Sequence, residues 1–385
     1  MNASKATSWR MFCGWLITPT QEMQNVLIEV SDGIISALQL GAEKPTDRSY
    51  IDASDEMVAP GFIDIHVHGG AGFDVADGTY EAISSISTHL ARHGVTSFLP
   101  TIVTSPWPTI VRAMAAIKEA VDRGVPGARV LGAHVEGPFL NIEYKGAQPP
   151  ENIRPPSVKE FEQFLGDYLA YIRVVTIAPE VPGAEEVIEY LIKKGIRVSV
   201  GHSGATYDQV MKAAAMGVTN ATHTFNGMKG LHHREPGVAG GVMVNDRIFG
   251  ELIWDNIHVH PGAAKLLVKA KGPGRVILVS DAMRAAGLQD GEYDLGGQIV
   301  FVKSGQAKLA DGTIAGSTVT LDQAVRNATE HVGLRAAVEM ASLTPAESIG
   351  IASERGMIEE GLAADFVVMD KNLEVKRVFI GGLEV

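Results

Sequence analysis

The stretch "GFIDIHVHGG", residues 61–70, reads as a strand that departs from its own apolar pattern at two points, His66 and His68. Successive side chains of a strand leave on opposite faces, so these two imidazoles share one side. Gly69 and Gly70 end the run. Paired neutral imidazoles are poor packing material and good metal ligands. The alternative is an ordinary histidine pair at a strand end, and the rest of the chain has to supply the other ligands.

On the N-terminal side of this stretch, residues 1–58 read as short strands joined by turns, with "SDG" as a tight turn inside "NVLIEVSDGIISALQL". On its C-terminal side the texture changes, and short apolar runs alternate with helix-like segments. The runs are 61–69, 96–104, 128–138, 174–180, 196–203, 218–226, 249–259 and 275–283. Amphipathic segments such as "TIVRAMAAIKEAVDRG" and "DQVMKAAAMG" fill the gaps. Strand and helix alternating eight times predict a (β/α)8 TIM barrel. The segment 294–317 reads as a hairpin inserted after the eighth strand, with helices following to about residue 350. The tail returns to short strands. The expected domains are therefore a barrel over 59–353 and one small β domain made from 1–58 and 354–385.

Composition narrows the function. Of 385 residues, 45% are hydrophobic and 20% charged, as in ordinary globular proteins. The net charge of -12 argues against nucleic acid, whose phosphates require a positive field. Cys13 is the one cysteine, so no intrachain disulfide forms, which fits a reducing compartment. No run approaches bilayer-spanning length and the first residues lack a signal-peptide apolar region, so no membrane association and a cytoplasmic enzyme are expected.

In a barrel, chemistry sits where strands run into loops at the C-terminal face. Taken in order, those ends carry His66 and His68, Glu136, His202, His223 and Asp281. Singly, each has a plain alternative: a hydrogen-bonded surface histidine, a turn glutamate before Gly-Pro, or a helix-capping aspartate. Those alternatives would have to hold independently at five strand ends. Six potential ligands exceed one tetrahedral ion and suit two divalent ions sharing a carboxylate. Such a donor set accepts Zn, Fe, Mn or Co. His134, two residues before Glu136 and on the same side of its strand, reads as a ligand, a packing residue or a partner of the ligands, and Asp64 as a core residue or a partner of the ligands. The loop "FNGMKGLHHREPG" at 225–237, with His258 nearby, gathers cationic groups in an acidic chain. It is either a solvated loop or a grip for phosphate or carboxylate.

The motifs "PGFIDIHVHG", "HVEGP", "GHS", "THTFNGM", "REPG" and "SDAM", in this order and spacing, resemble the N-acetylglucosamine-6-phosphate deacetylase family of the amidohydrolase superfamily. The resemblance runs from Met11 to Val385. It implies a barrel with a small β-sandwich, a homodimer, and hydrolysis of the N-acetyl group of an amino-sugar phosphate to hexosamine 6-phosphate and acetate. It implies that Glu136, His202 and His223 hold the main metal, that His66 and His68 can hold a second, giving one or two divalent ions per chain, and that Asp281 is catalytic. Asn226, the backbone of Gly227, and His258 match sugar-phosphate contacts. Arg234 matches an arginine that reaches the neighbouring subunit's substrate. Gln148 stands where the family usually has a substrate-contacting histidine, so the exact sugar stays open. Two competing readings are an amidohydrolase acting on another N-acyl or cyclic amide and a catalytically silent sugar-phosphate-binding protein. The run "VVTIAPE" lacks the strand-four lysine of many bimetallic relatives, and no ligand is missing from the set above.

Overall fold

A computed structural model describes residues 8–47 and 49–385. Eight parallel strands run in sequence order: Phe62–Val67, Val95–Ile102, Ala133–Glu136, Ile172–Ile177, Arg197–Val200, Asn220–Ala221, Phe249–Ile253 and Val276–Val279. Each of the predicted runs overlaps one of them; the second strand begins one residue and the fourth two residues before its run. The eighth returns to the first where Asp281 N–H donates to the His66 carbonyl at 2.8 Å and His68 N–H donates to the Ala282 carbonyl at 2.9 Å. The result is a nearly closed barrel. Its strands are continuous apolar runs because both faces are covered, the inner by facing strands and the outer by helices. The helix Trp107–Arg123 shows how the outer layer is attached. Trp107, Ile110, Ala113, Met114, Ile117 and Ala120 recur at helical spacing and are buried. Truncating Ile117 to Ala would cost about 2–5 kcal/mol, the range for a deleted core aliphatic side chain.

Several strands stop earlier than their apolar runs. The sixth spans two residues, Asn220–Ala221, and the seventh ends at Ile253, so His258 lies in the loop beyond it. At the fifth, sixth and eighth strands the cause is visible in the backbone. His202, His223 and Asp281 have φ of 48°, 30° and 49°. A non-glycine residue there turns the chain out of the sheet at a cost of order 1–3 kcal/mol, typical of backbone held for function. Three of the expected site residues carry that strain.

After the eighth strand an antiparallel three-stranded meander (Gly291–Leu295, Gln298–Lys303, Gln306–Lys308) stands where a hairpin was expected. Three helices follow, Leu321–Val332, Leu334–Ala341 and Leu343–Ile349. Both chain ends then build the small β domain. Seven strands form one continuous sheet in the order 383–384, 375–380, 366–369, 51–60, 8–17, 22–31, 34–39. Its own core includes Met11, Cys13, Leu16, Ile28, Phe366 and Phe379. Cys13 lies in that core, where burial pushes its thiol up to about 12 and keeps it protonated. Among the described residues, no helix is long and apolar enough to cross a membrane.

Candidate active site

The strand ends bring His66, His68, Glu136, His202, His223 and Asp281 to one buried cluster. Glu136 is its hub. Oε1 lies 3.0 Å from His202 Nε2 and 3.1 Å from His223 Nε2, while Oε2 lies 3.3 Å from His68 Nε2. Asp281 Oδ1 is 3.1 Å from His68 Nε2 and 3.5 Å from His66 Nε2. The cluster falls into two halves joined by Glu136: His202 with His223, and His66 with His68 and Asp281.

The opposite edges of the rings explain what the inner edges are for. His68 Nδ1–H donates to the Thr101 carbonyl at 3.1 Å and His202 Nδ1–H to the Tyr144 carbonyl at 3.0 Å. A carbonyl only accepts, so each ring keeps its proton on Nδ1 and turns an Nε2 lone pair inward. His202 Nε2 and His223 Nε2 then sit 3.2 Å apart, and His66 Nε2 and His68 Nε2 3.3 Å apart. Ring nitrogens this close beside a carboxylate need positive charge between them, as protons in the ion-free site or as a bound cation. The donor set therefore fits divalent cations: imidazole nitrogens and carboxylates, buried, with outer partners fixing the tautomer. Two overlapping groups are placed to hold an ion, His66–Glu136–His223 and His66–His68–Asp281; a third set of close donors, His66–His134–Glu251, is engaged in hydrogen bonds of its own.

Electrostatics point the same way. Burial pushes the His223 imidazole down, yet Glu136, Asp281 and Glu251 outweigh it and hold the group up at about 9. His68 is likewise driven up against burial by Asp281 and Glu136. Burial pushes Asp281 up, but the His66, His68 and His223 charges hold it well below the usual carboxylate range. The pocket attracts positive charge and keeps its carboxylates ionised.

His134 belongs to the layer beneath. Its Nδ1 faces the Ile65 carbonyl at 3.0 Å and its Nε2 the Thr176 hydroxyl at 2.7 Å, so both nitrogens are occupied. Burial, then the His66 charge, brings it down to about 4, and it stays neutral. Asp64 accepts from the backbone N–H of His66 at 3.2 Å and of Ser280 at 3.3 Å, tying the first strand to the eighth below the site.

A cavity of about 260 Å³ opens above the cluster. His68, Glu136, His202, His223 and Asp281 form its floor, and His66 lies behind them, fully buried. Asn226, Gly227 and His258 line its wall, with Leu295 of the meander and Ile314 opposite. Asn226 Nδ2–H donates to the His223 carbonyl at 3.2 Å. Gly227 is required by space as well as by its φ of 54°, since a Cβ there would lie 2.8 Å from His202 Nδ1. His258 Nδ1 is 2.7 Å from Asp255 Oδ2.

Two expected residues sit differently from the rest. Gln148 lines the cavity, but its Nε2–H donates to Glu136 Oε2 at 2.6 Å and its Oε1 accepts from Thr104 N–H at 3.0 Å. Its amide is engaged with Glu136. Arg234 is exposed, donates Nη1–H to His233 Nε2 at 2.8 Å, and does not line its own chain's cavity.

Sequence reasoning missed Glu251 and Asp255. Glu251 is the single charge inside the strand Phe249–Ile253 and is fully buried. A lone acid in an apolar run was the available signal. Asp255 accepts from the backbone N–H groups of Ile257 and His258, each at 2.8 Å, and shapes the His258 loop.

Comparison with known proteins agrees with this geometry. The model of the amidohydrolase family matches residues 57–385. The N-acetylgalactosamine-6-phosphate deacetylase of Escherichia coli O157:H7 is 40% identical over 369 residues, covering 95% of this chain and 96% of that protein. The N-acetylglucosamine-6-phosphate deacetylase of Vibrio furnissii is 39% identical, covering 94% and 91%. A solved mutant N-acetyl-D-glucosamine-6-phosphate deacetylase from Mycobacterium smegmatis, in complex with N-acetyl-D-glucosamine-6-phosphate, superposes with a TM-score of 0.93 at 32% identity, covering 98% of this chain and 99% of that one. A barrel ringed by inward-facing imidazoles, and relatives that match it nearly end to end, place this chain in the amidohydrolase family.

Proposed function

We propose that this protein hydrolyses the N-acetyl group of N-acetylglucosamine 6-phosphate, or of a closely related N-acetylhexosamine 6-phosphate, to hexosamine 6-phosphate and acetate. The observation that carries the reading is the convergence of Glu136, His68, His202, His223 and Asp281 on the floor of one cavity, with His66 directly behind them, in a chain about 40% identical to amino-sugar-phosphate deacetylases. We read Glu136, His202 and His223 as the principal ligands and His66 and His68 as those of a second ion.

A divalent cation supplies carbonyl polarisation and a lowered pKa for water. The remaining steps belong to the chain's own side chains. Asp281, ionised and reaching the cavity, takes a proton as water adds to the amide carbon. It then delivers that proton to the nitrogen as the C–N bond breaks. Asn226, the Gly227 backbone and His258 orient the sugar phosphate, which holds the acetamide over Asp281. Removing divalent ions with a chelator should abolish acetate release, and restoring Zn, Mn, Fe or Co should return it. Acetate release that persists in metal-free protein would exclude this reading.

Cation uptake should also depend on pH. A bound cation displaces the His223 proton, which leaves at about pH 9 in the ion-free site. Binding below that pH therefore releases protons, and apparent affinity should fall as pH is lowered from 9 towards 6. Calorimetric titration in buffers of different ionisation enthalpy checks this, and a pH-independent affinity without proton release would contradict it.

The exposed position of Arg234 fits action on a second subunit's substrate in a homodimer. Arg234→Ala should raise KM for the phosphorylated sugar and leave an unphosphorylated analogue little affected. Mixed with Asp281→Asn, it should regain activity, because one site of the heterodimer then has both groups. No recovery after verified subunit exchange would count against the trans arrangement.

Gln148 bears on the choice of epimer. Its amide neither titrates near neutral pH nor carries charge, unlike a histidine. The values of kcat/KM for the gluco and galacto substrates, in wild type and Gln148→His, should differ between the epimers, with wild type favouring the galacto form. Four equal values would show that Gln148 does not influence the substrate.

A further inference from the structure

We propose that Glu251 is the positioning residue for the second cation, holding His66 by its outer nitrogen so that Nε2 faces His68 and Asp281. The proposal rests on the two-ion reading of the site and adds to it the residue on which the second ion depends.

The geometry separates His66 from the other rings. His68 and His202 are oriented by backbone carbonyls, which every sequence supplies. His66 is oriented by a side chain: its Nδ1 lies 2.9 Å from Glu251 Oε2, with both residues fully buried. The same oxygen accepts the backbone N–H of His223 at 3.1 Å. One carboxylate thus ties a ring in the second half of the cluster to the backbone that presents a ring of the first. Its other oxygen, Oε1, is buried and has no hydrogen-bond partner among the described residues. No lysine or arginine pairs with Glu251 among the described residues. A fully buried carboxylate in that state is costly for folding alone, and its retention fits charge balance against cations one imidazole away.

A carboxylate behind a ligating imidazole fixes ring orientation and raises ligand basicity, and its loss commonly costs 10–100-fold in metal affinity. Glu251→Gln keeps the volume and an accepting oxygen but removes the charge. Glu251→Ala removes the acceptor as well. The test is Zn²⁺ titration of the metal-stripped full chain by calorimetry, with elemental analysis after reconstitution and thermal melting as the fold control. Wild type should take up two ions per chain. Glu251→Ala should bind the second ion about 10–100-fold more weakly, with the first within about threefold of wild type and Glu251→Gln in between. If Glu251→Ala does not fold, the second-site affinity of the isosteric Glu251→Gln decides.

Three results would overturn the proposal: a second ion held by the variants as tightly as by wild type, equal loss of both ions in a folded variant, or a wild type that binds a single ion. None of these bears on the deacetylase reading, which fails separately if wild type of any metal content releases no acetate.

Discussion

Glu136→Ala is expected to empty the principal cation position and to lower kcat/KM by far more than the ~10²-fold associated with loss of an outer-sphere partner. The reason lies in the two oxygens of this carboxylate. One faces His202 and His223 at 3.0 and 3.1 Å, and the other faces His68 at 3.3 Å. Removing them leaves the inward nitrogens of His202 and His223 with no carboxylate beside them and His68 with Asp281 alone, and the Gln148 amide loses its partner at 2.6 Å. Glu136→Gln keeps the shape and one acceptor, so it should fold like wild type and still bind metal poorly. Elemental analysis checks both variants. Full metal content in Glu136→Ala would remove Glu136 from the centre of the site.

Asp281→Asn comes next in expected effect, a fall in kcat of about 10²–10⁴-fold, the usual worth of a positioned acid–base group. Asparagine retains the bend at φ 49° as readily as any non-glycine residue, since its short polar side chain tolerates the left-handed region. It also retains an oxygen that can face His68. What it loses is the capacity to take a proton and return it. KM should therefore change little and the principal ion should remain bound. Near-normal turnover by Asp281→Asn would mean that another group moves the proton.

Much of this site was legible in the sequence for a physical reason. Parallel barrel strands are buried on both faces, so they read as apolar runs, and any polar residue in them stands out. His66 and His68 were visible through the two-residue period of a strand. Glu136, His202, His223 and Asp281 were visible because they interrupt or end such runs. The strand lengths were less visible. The sixth run looks nine residues long and forms a two-residue strand, because the turn at His223 is backbone geometry that hydrophobicity does not report. Glu251 was hidden among the apolar residues of "FGELIW". Its meaning lies in a contact with His66, 185 positions away. The engagement of Gln148 with Glu136 is similarly a product of how the 141–152 loop folds back over the barrel.

Arg234 shows the opposite limit. Its charge and motif are plain in the sequence, yet within one chain it does not line the cavity and pairs with His233. The role proposed for it requires a second subunit, so the mixing experiment speaks to it more directly than any single-chain distance.

The most direct test of the account is the product balance from N-acetylglucosamine 6-phosphate and its galacto epimer with the metal-reconstituted protein. Acetate and free primary amine should appear in equal amounts from at least one epimer, and neither should form with Glu136→Ala. Acetate from neither epimer, with the protein folded and its metal bound, would contradict the assignment of this site to amino-sugar-phosphate deacetylation.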